Sequence, residues 1–386
     1  MDNITHTLAA AAIAKTGVGR GSRLLPAAVI VAANVPDVDF AARLFGGPAA
    51  YFVHHRGITH AFLGIALEIP LLTALFWAVQ RMVLRRAARI PSEARASPVG
   101  WRRLALAVTC GLATQPLFDW FNTYGIRPWL PFDGRWHYGD LAYIVDPWLW
   151  LLFGGAACLA GRRRRWGSVA LVAVAALGCV VLWWMPRSGA NPPPTFLRVA
   201  WLLAAVLLGV GRWQGWGRGR PNAVVAVAAL LTACYLVGLG WAGHAAWDRY
   251  GRQLVAQFPP GETLRRHMWS PQPANPLAWT LVAETEQAVY RQDVDLLGNA
   301  GGVARFERNL DEPVAQAALA TADGRAWRSF ARFPIAQVLH EPPAARVLLL
   351  DARYPVEPPQ RNWCRMVIDL GRGRCVPSEL GESSDN

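Results

Sequence analysis

Long apolar runs alternating with short arginine clusters fill the first 244 residues and constrain the fold more than any other feature. Crossing about 30 Å of hydrocarbon takes roughly 20 apolar residues. Ala61–Val83, Leu104–Phe118, Tyr143–Ala160, Val169–Met185, Phe196–Val210 and Ala223–Gly243 approach that length and predict about six transmembrane helices. Thr7–Ala14 and Leu24–Val35 are shorter helical segments, either half-spanning, tilted, or continued by polar residues that face a cavity. The expected class is a polytopic α-helical membrane protein.

Charge sets the orientation. The 386-residue chain has a formal net charge of +13, which on a soluble domain would suggest a nucleic-acid footprint. Sorted by position, residues 1–244 carry +14 and residues 245–386 carry −1. The excess belongs to the hydrophobic part, so no nucleic-acid partner is expected. Lys and Arg in short loops mark the cytoplasmic side. Placing 81–103, 162–165, 211–220 and Lys15, Arg20 and Arg23 there lets the six helices alternate, with +16 on that side and −2 over the rest of the membrane part. Trp101, Trp148, Trp166, Trp183, Trp184 and Trp241 fall near helix ends, as an interfacial belt requires. The N-terminus lacks a basic stretch before its Ala-rich run, which predicts no cleaved signal peptide.

After Gly243 the composition changes. Strand-like runs at 275–295, Arg346–Tyr354 and Trp363–Leu370, separated by Pro-rich joints, predict a small, mostly β soluble domain. The expected organisation is a membrane-embedded domain over 1–165, additional transmembrane helices over 166–244, and a β-rich domain over 245–386 lying outside the cytoplasm. Cys110, Cys158, Cys179 and Cys234 lie singly in apolar runs and read as packed thiols. Cys364 and Cys375 flank a hairpin turn around Gly371-Arg372-Gly373, so a disulfide and two unpaired thiols both remain open.

The polar residues of the membrane part are few and clustered: Asp2, Asn3 and His6; Asn34, Asp37 and Asp39; His54, His55, Arg56 and His60; Asp119, Asn122 and Tyr124; Asp140 and Asp146. The orientation derived from arginine alone puts all of them at one membrane face. Ionisable groups there must face a cavity or one another. His with Asp and no Cys is ligand chemistry for zinc, manganese or iron(II). Asp37 and Asp39 share a face if extended, but a helix start after Pro36 is equally open. His137, His244, His267 and His340 have no such neighbours, and Glu68 lies one turn from the interface.

MDNITHTLAAAAIAKTG, ANVPDVDF, HHRGITHAFLG, FDWFNTYGIRPWLPF and IVDPWLW resemble, in order and spacing, the motifs of the YdjM-like proteins, LexA-regulated, inner-membrane-associated metal-dependent hydrolases. The resemblance covers roughly residues 1–165, and the tail resembles the extra C-terminal region of longer members. It implies metal ligands drawn from His6, Asp37, His55, His60, Asp119 and Asp146, with Asp39 and Asp140 accessory. Register before Arg-Gly-Ile-Thr-His favours His55, with His54 one slip away.

The expected function is a membrane-bound metal-dependent hydrolase with its site at the outer membrane face, zinc being the first choice of metal. Asp39 or Asp140 would be the general base. Arg56 would neutralise a phosphate or, alternatively, anchor to lipid or to a nearby Asp. A phosphoester or lipid-linked substrate suits a site at headgroup level. The alternatives are a transporter, which should show midplane charges and an internal repeat, and a non-catalytic metal-binding envelope protein.

Overall fold

A computed structural model of the chain describes residues 1–87, 98–161, 165–184, 191–339 and 345–376. Parts of the basic loops (88–97 and 162–164), Met185, Arg187 and His340 lie outside the described residues, as does the Trp166 side chain. The chain divides into two compact units. The first comprises Met1–Val38, Arg56–Ala242 and Pro271–Ala278; the second comprises Asp39–His55, Gly243–Ser270 and Trp279–Asn386.

The first unit is helical: α1 (Asn3–Ile13), α2 (Leu24–Ala32), and, after α3 (Ala42–His54) of the second unit, α4 (Phe62–Ala87), α5 (Trp101–Leu112), α6 (Thr114–Trp120), α7 (Pro147–Leu159), α8 (Arg165–Trp184), α9 (Thr195–Gln214) and α10 (Pro221–Val255), whose last turns enter the second unit. Among the described residues, α4, α8, α9 and α10 are long and apolar enough to cross a membrane, and a bent pair made of α2 and Pro36–His54 brings the count to five if it is one span. Their outward faces are bare hydrocarbon: Leu71 on α4, Val172 on α8, Leu203 on α9 and Val237 on α10 are 63–73% exposed. A contiguous apolar surface of that kind needs lipid against it.

The expected six spans are therefore too many. Leu104–Phe118 is divided between the 12-residue α5 and the 7-residue α6, and Tyr143–Ala160 shortens to the 13-residue α7. At 1.5 Å per residue α7 is about 20 Å long, short of the hydrocarbon thickness. It is apolar because protein surrounds it: Leu149, Trp150, Leu151 and Phe153 are buried, and Trp150 packs with Leu182 and Trp201. A second core joins α1, α2 and α5 through Ala10, Ala28, Ala32, Leu104 and Ala107, with Gly111 of α5 set against the backbone of α2 at Val29.

The second unit holds two four-stranded sheets, β1 (Arg266–Gln272), β2 (Asn275–Glu284), β3 (Ala288–Asp295) and β4 (Ala304–Glu307) in one, and β5 (Pro334–Leu339), β6 (Arg346–Asp351), β7 (Met366–Asp369) and β8 (Arg374–Val376) in the other, each in sequence order. Two short helices, α11 (Pro313–Ala320) and α12 (Ala322–Phe330), connect the sheets and were not expected. A core of Met268, Val282, Val289, Ile335, Leu348 and Val367 draws on both sheets. Phe330 of α12 stacks on Phe52 of α3 at 5.4 Å. Cys364 and Cys375 are both free thiols. Register agrees with this: Cys375 stands opposite Ile368 within β7, whereas Cys364 lies in the turn before that strand.

Candidate metal centre

Four stretches of the first unit deliver side chains to one buried point. Asp2 fixes the first of them. Its carboxylate caps α1, accepting from the Ile4 and Thr5 amides at 2.9 and 3.0 Å, and the Trp150 indole donates to Asp2 at 3.1 Å and to Thr5 at 3.0 Å. Capping satisfies helix N–H groups that otherwise have no partner, and the indole sets the rotation of α1. That rotation turns His6 fully inward, where its Nδ1 has no hydrogen-bond partner.

Asp37 lies in a 3₁₀ turn, Pro36–Ala41, that follows α2. His60 ends a second such turn, Ile58–His60, just before α4. Asp119 sits on α6, where Gln115 one turn earlier shares its face, and both are 0% exposed.

The ligand-type atoms of Asp37, His60 and Asp119 all lie within 4.8 Å of one another. His60 Nε2 is 3.2 Å from Asp37 Oδ1, 3.3 Å from Asp119 Oδ2 and 3.4 Å from Gln115 Nε2. Thr59 Oγ1 stands 3.1 Å from His60 Nδ1, leaving Nε2 for the cluster. His6 Nε2 approaches Asp119 Oδ1 at 3.4 Å. The cluster has one open edge, at Asp37. Its side chain is 14% exposed, against 0% for His60 and Asp119, and Asn3 donates to Asp37 Oδ2 at 2.9 Å there.

Arg56 underpins Asp119. Its guanidinium donates to Asp119 Oδ1 at 2.7 Å, to the Asn122 side chain and the Gly125 carbonyl at 3.0 Å, and to the Asp119 carbonyl at 3.3 Å. It also lies 4.5 Å above the Tyr124 ring. The residue is 1% exposed and has φ of 51°, a left-handed conformation that costs a non-glycine residue roughly 1–2 kcal/mol. The Met1 amine also pairs with Asp119.

The other expected site residues lie elsewhere. His55 Nδ1 is 2.7 Å from Asp39 Oδ1, both in the second unit, and its ring stacks on Tyr51; His54 is exposed. Asp146 is the N-cap of α7, accepting from the Trp148 amide at 2.8 Å and the Tyr235 hydroxyl at 2.9 Å. Asp140 is half-buried in the loop before α7, with φ of 53°. Sequence reasoning passed over Gln115, although its spacing four residues before Asp119 was a usable signal on a helix.

Residues 1–190 match the profile of the YdjM inner membrane protein family. No curated protein and no solved structure matches the chain.

Proposed function

We propose, because residues 1–190 match the profile of the YdjM inner membrane protein family and histidine and aspartate converge within them, that the chain is a membrane-bound metal-dependent hydrolase. The observation that carries this reading is the meeting of Asp37, His60 and Asp119 within 4.8 Å in a mostly buried pocket. The donor set fits a divalent ion. The buried His6 Nδ1 has no hydrogen-bond partner, and His6 Nε2 and Asp119 Oδ2 make only long contacts, 3.4 Å to Asp119 Oδ1 and 3.3 Å to His60 Nε2; an unsatisfied buried group costs about 1–3 kcal/mol unless something else satisfies it. Two imidazoles and two carboxylates suit zinc, manganese or iron(II), and Asp37, His60, Asp119 and His6 are the residues that would hold the ion. Such an ion supplies Lewis acidity, polarising the scissile group and making water more acidic.

The chain's own residues do the rest. Thr59 orients His60, as the outer partner of a ligating imidazole does. Arg56 holds the Asp119 carboxylate in place and offsets its charge, and we assign it as a positioning residue. Asp37, at the open edge with Asn3 and Asn34 beside it, is placed to take a proton from water entering there. A phosphoester or lipid-linked substrate fits a site opening at headgroup level. The outer face is favoured because Lys15, just past the end of α1, belongs to the basic side, whereas His6 lies near the start of the same helix.

The test is divalent-metal analysis of detergent-purified protein, wild type beside Asp37→Ala and His60→Ala, followed by hydrolysis assays on phosphodiester and lipid-phosphate panels. Stoichiometric metal in wild type, lost with activity in both variants, is expected. Metal-free wild type would refute the reading, and bound metal without hydrolysis would support a non-catalytic metal-binding protein instead.

A further inference from the structure

At the other end of α1 the first unit contains a crevice of about 860 Å³, bounded by α1, α7, α8 and the ends of α9 and α10. That volume falls among those of ligand pockets, roughly 300–1,000 Å³. Its two ends differ in chemistry. The inner end is apolar: a methyl group placed on Gly154 would lie 3.4 Å from Val174 and 3.7 Å from Leu8. The outer end is basic, lined by Lys15, Arg20, Arg212 and Arg218, and no carboxylate lines it among the described residues.

Small residues keep the space open. Ala11 and Ala14 on α1, Ala157 and Gly161 at the end of α7, and Gly167 and Ala170 on α8 line it, so helix backbones form walls that larger side chains would fill. Arg212 is a built-in cation: it is 7% exposed, its Nε donates to Ser168 Oγ at 3.1 Å, and it also donates to the Cys158 carbonyl. Lys15, Arg20 and Arg218 are exposed, and none of the three has an acidic partner among the described residues. Four cations at the mouth of an apolar slot, in a region whose long helices face lipid, match the two ends of an anionic amphiphile.

We propose that this crevice binds an anionic phospholipid, its phosphate against Lys15, Arg20, Arg212 and Arg218 and part of an acyl chain along Leu8, Gly154 and Val174. Basic pockets between membrane helices recognise anionic headgroups by this combination of charge and hydrocarbon. Headgroup phosphate and free phosphate share the cationic end, but only a lipid uses the apolar one.

The test is native mass spectrometry of delipidated, detergent-solubilised full-length protein titrated with phosphatidylglycerol, phosphatidylcholine or inorganic phosphate. Wild type should bind phosphatidylglycerol in preference to phosphatidylcholine, with no displacement by millimolar inorganic phosphate. A Lys15→Ala/Arg20→Ala/Arg218→Ala variant, altered only at exposed positions, should lose that preference by about fivefold for each charge removed. Gly154→Leu, which fills the apolar end, should weaken phosphatidylglycerol binding with every cation intact. Equal binding of the two lipids by wild type, or an unchanged preference in the triple variant, would overturn the proposal. Displacement by inorganic phosphate would reassign the site to a free anion, which also overturns it.

Discussion

Removing the Arg56 side chain tests whether the Asp119 end of the candidate metal centre is held mainly by this residue. Arg56→Ala deletes four hydrogen bonds to Asp119, Asn122 and Gly125 and the stacking contact with Tyr124, and it leaves the buried Asp119 carboxylate without its guanidinium partner. Breaking a buried ion pair by removing one member costs about 3–5 kcal/mol. At about 2 °C per kcal/mol for a unit of this size, the melting temperature of detergent-solubilised protein should fall by about 6–10 °C. Arg56→Gly removes the same contacts but relieves the left-handed backbone at φ 51°, so it should be more stable than Arg56→Ala by about 1 kcal/mol. Arg56→Lys keeps a charge but not the planar fork, so it should fall between wild type and Arg56→Ala. The measurement is differential scanning fluorimetry on all four proteins, with metal content determined in parallel. An Arg56→Ala protein that melts within 2 °C of wild type would refute the reasoning, as would Arg56→Gly being the less stable of the two small variants.

Three further outcomes follow from particular contacts. Burial raises the Asp351 carboxyl pKa, but the Arg353 charge and hydrogen bonds from Arg353 and the Arg332 amide outweigh it and hold the group below its usual range. The stability this contributes is fully present above about pH 4 and is lost as pH falls through the lower folded value; Asp351→Asn should therefore be destabilised at pH 7 and converge on wild type in acid melts, and a constant gap from pH 7 to pH 3 would contradict this. Gly111→Ala drives a methyl group onto the Val29 carbonyl and the Ala32 side chain, so thermal unfolding should show a loss of about 1–3 kcal/mol. With Cys364 and Cys375 both free, each should react with maleimide in denaturant without reductant, as read by peptide mass spectrometry; labelling only after reduction would show a disulfide.

Much of this architecture is legible residue by residue. The spans α4, α8, α9 and α10 declare themselves by length and uniform hydropathy, because lipid imposes both. The basic loops are equally readable, but only the fold brings Lys15 and Arg20 to the same crevice as Arg212 and Arg218, nearly two hundred residues later. In the second unit β2, β3, β6 and β7 are visible as alternation and β-branched runs, whereas β1 lies in a stretch that reads as a Pro-rich joint and β4, β5 and β8 do not stand out. Where reading failed, two environments ask for the same residues. The interior of a helical protein and the interior of a bilayer both select apolar side chains, so α7, enclosed by its neighbours, looked like a membrane span.

The site divides along the same line. Sequence alone determined that a few His and Asp residues stand at the ends of apolar segments, where their ionisation requires partners, and that they suit a metal. Only the tertiary structure decided which of them meet. Asp37, His60 and Asp119 converge with His6 at hand, whereas Asp39 pairs with His55 and Asp146 caps α7 and receives the Tyr235 hydroxyl. Hydropathy and charge are properties of single residues summed over short windows. A candidate coordination pocket is a relation among four segments spread over more than a hundred residues, from His6 to Asp119, set by how α1, α2 and α6 pack and by the rotation that Trp150 imposes on α1.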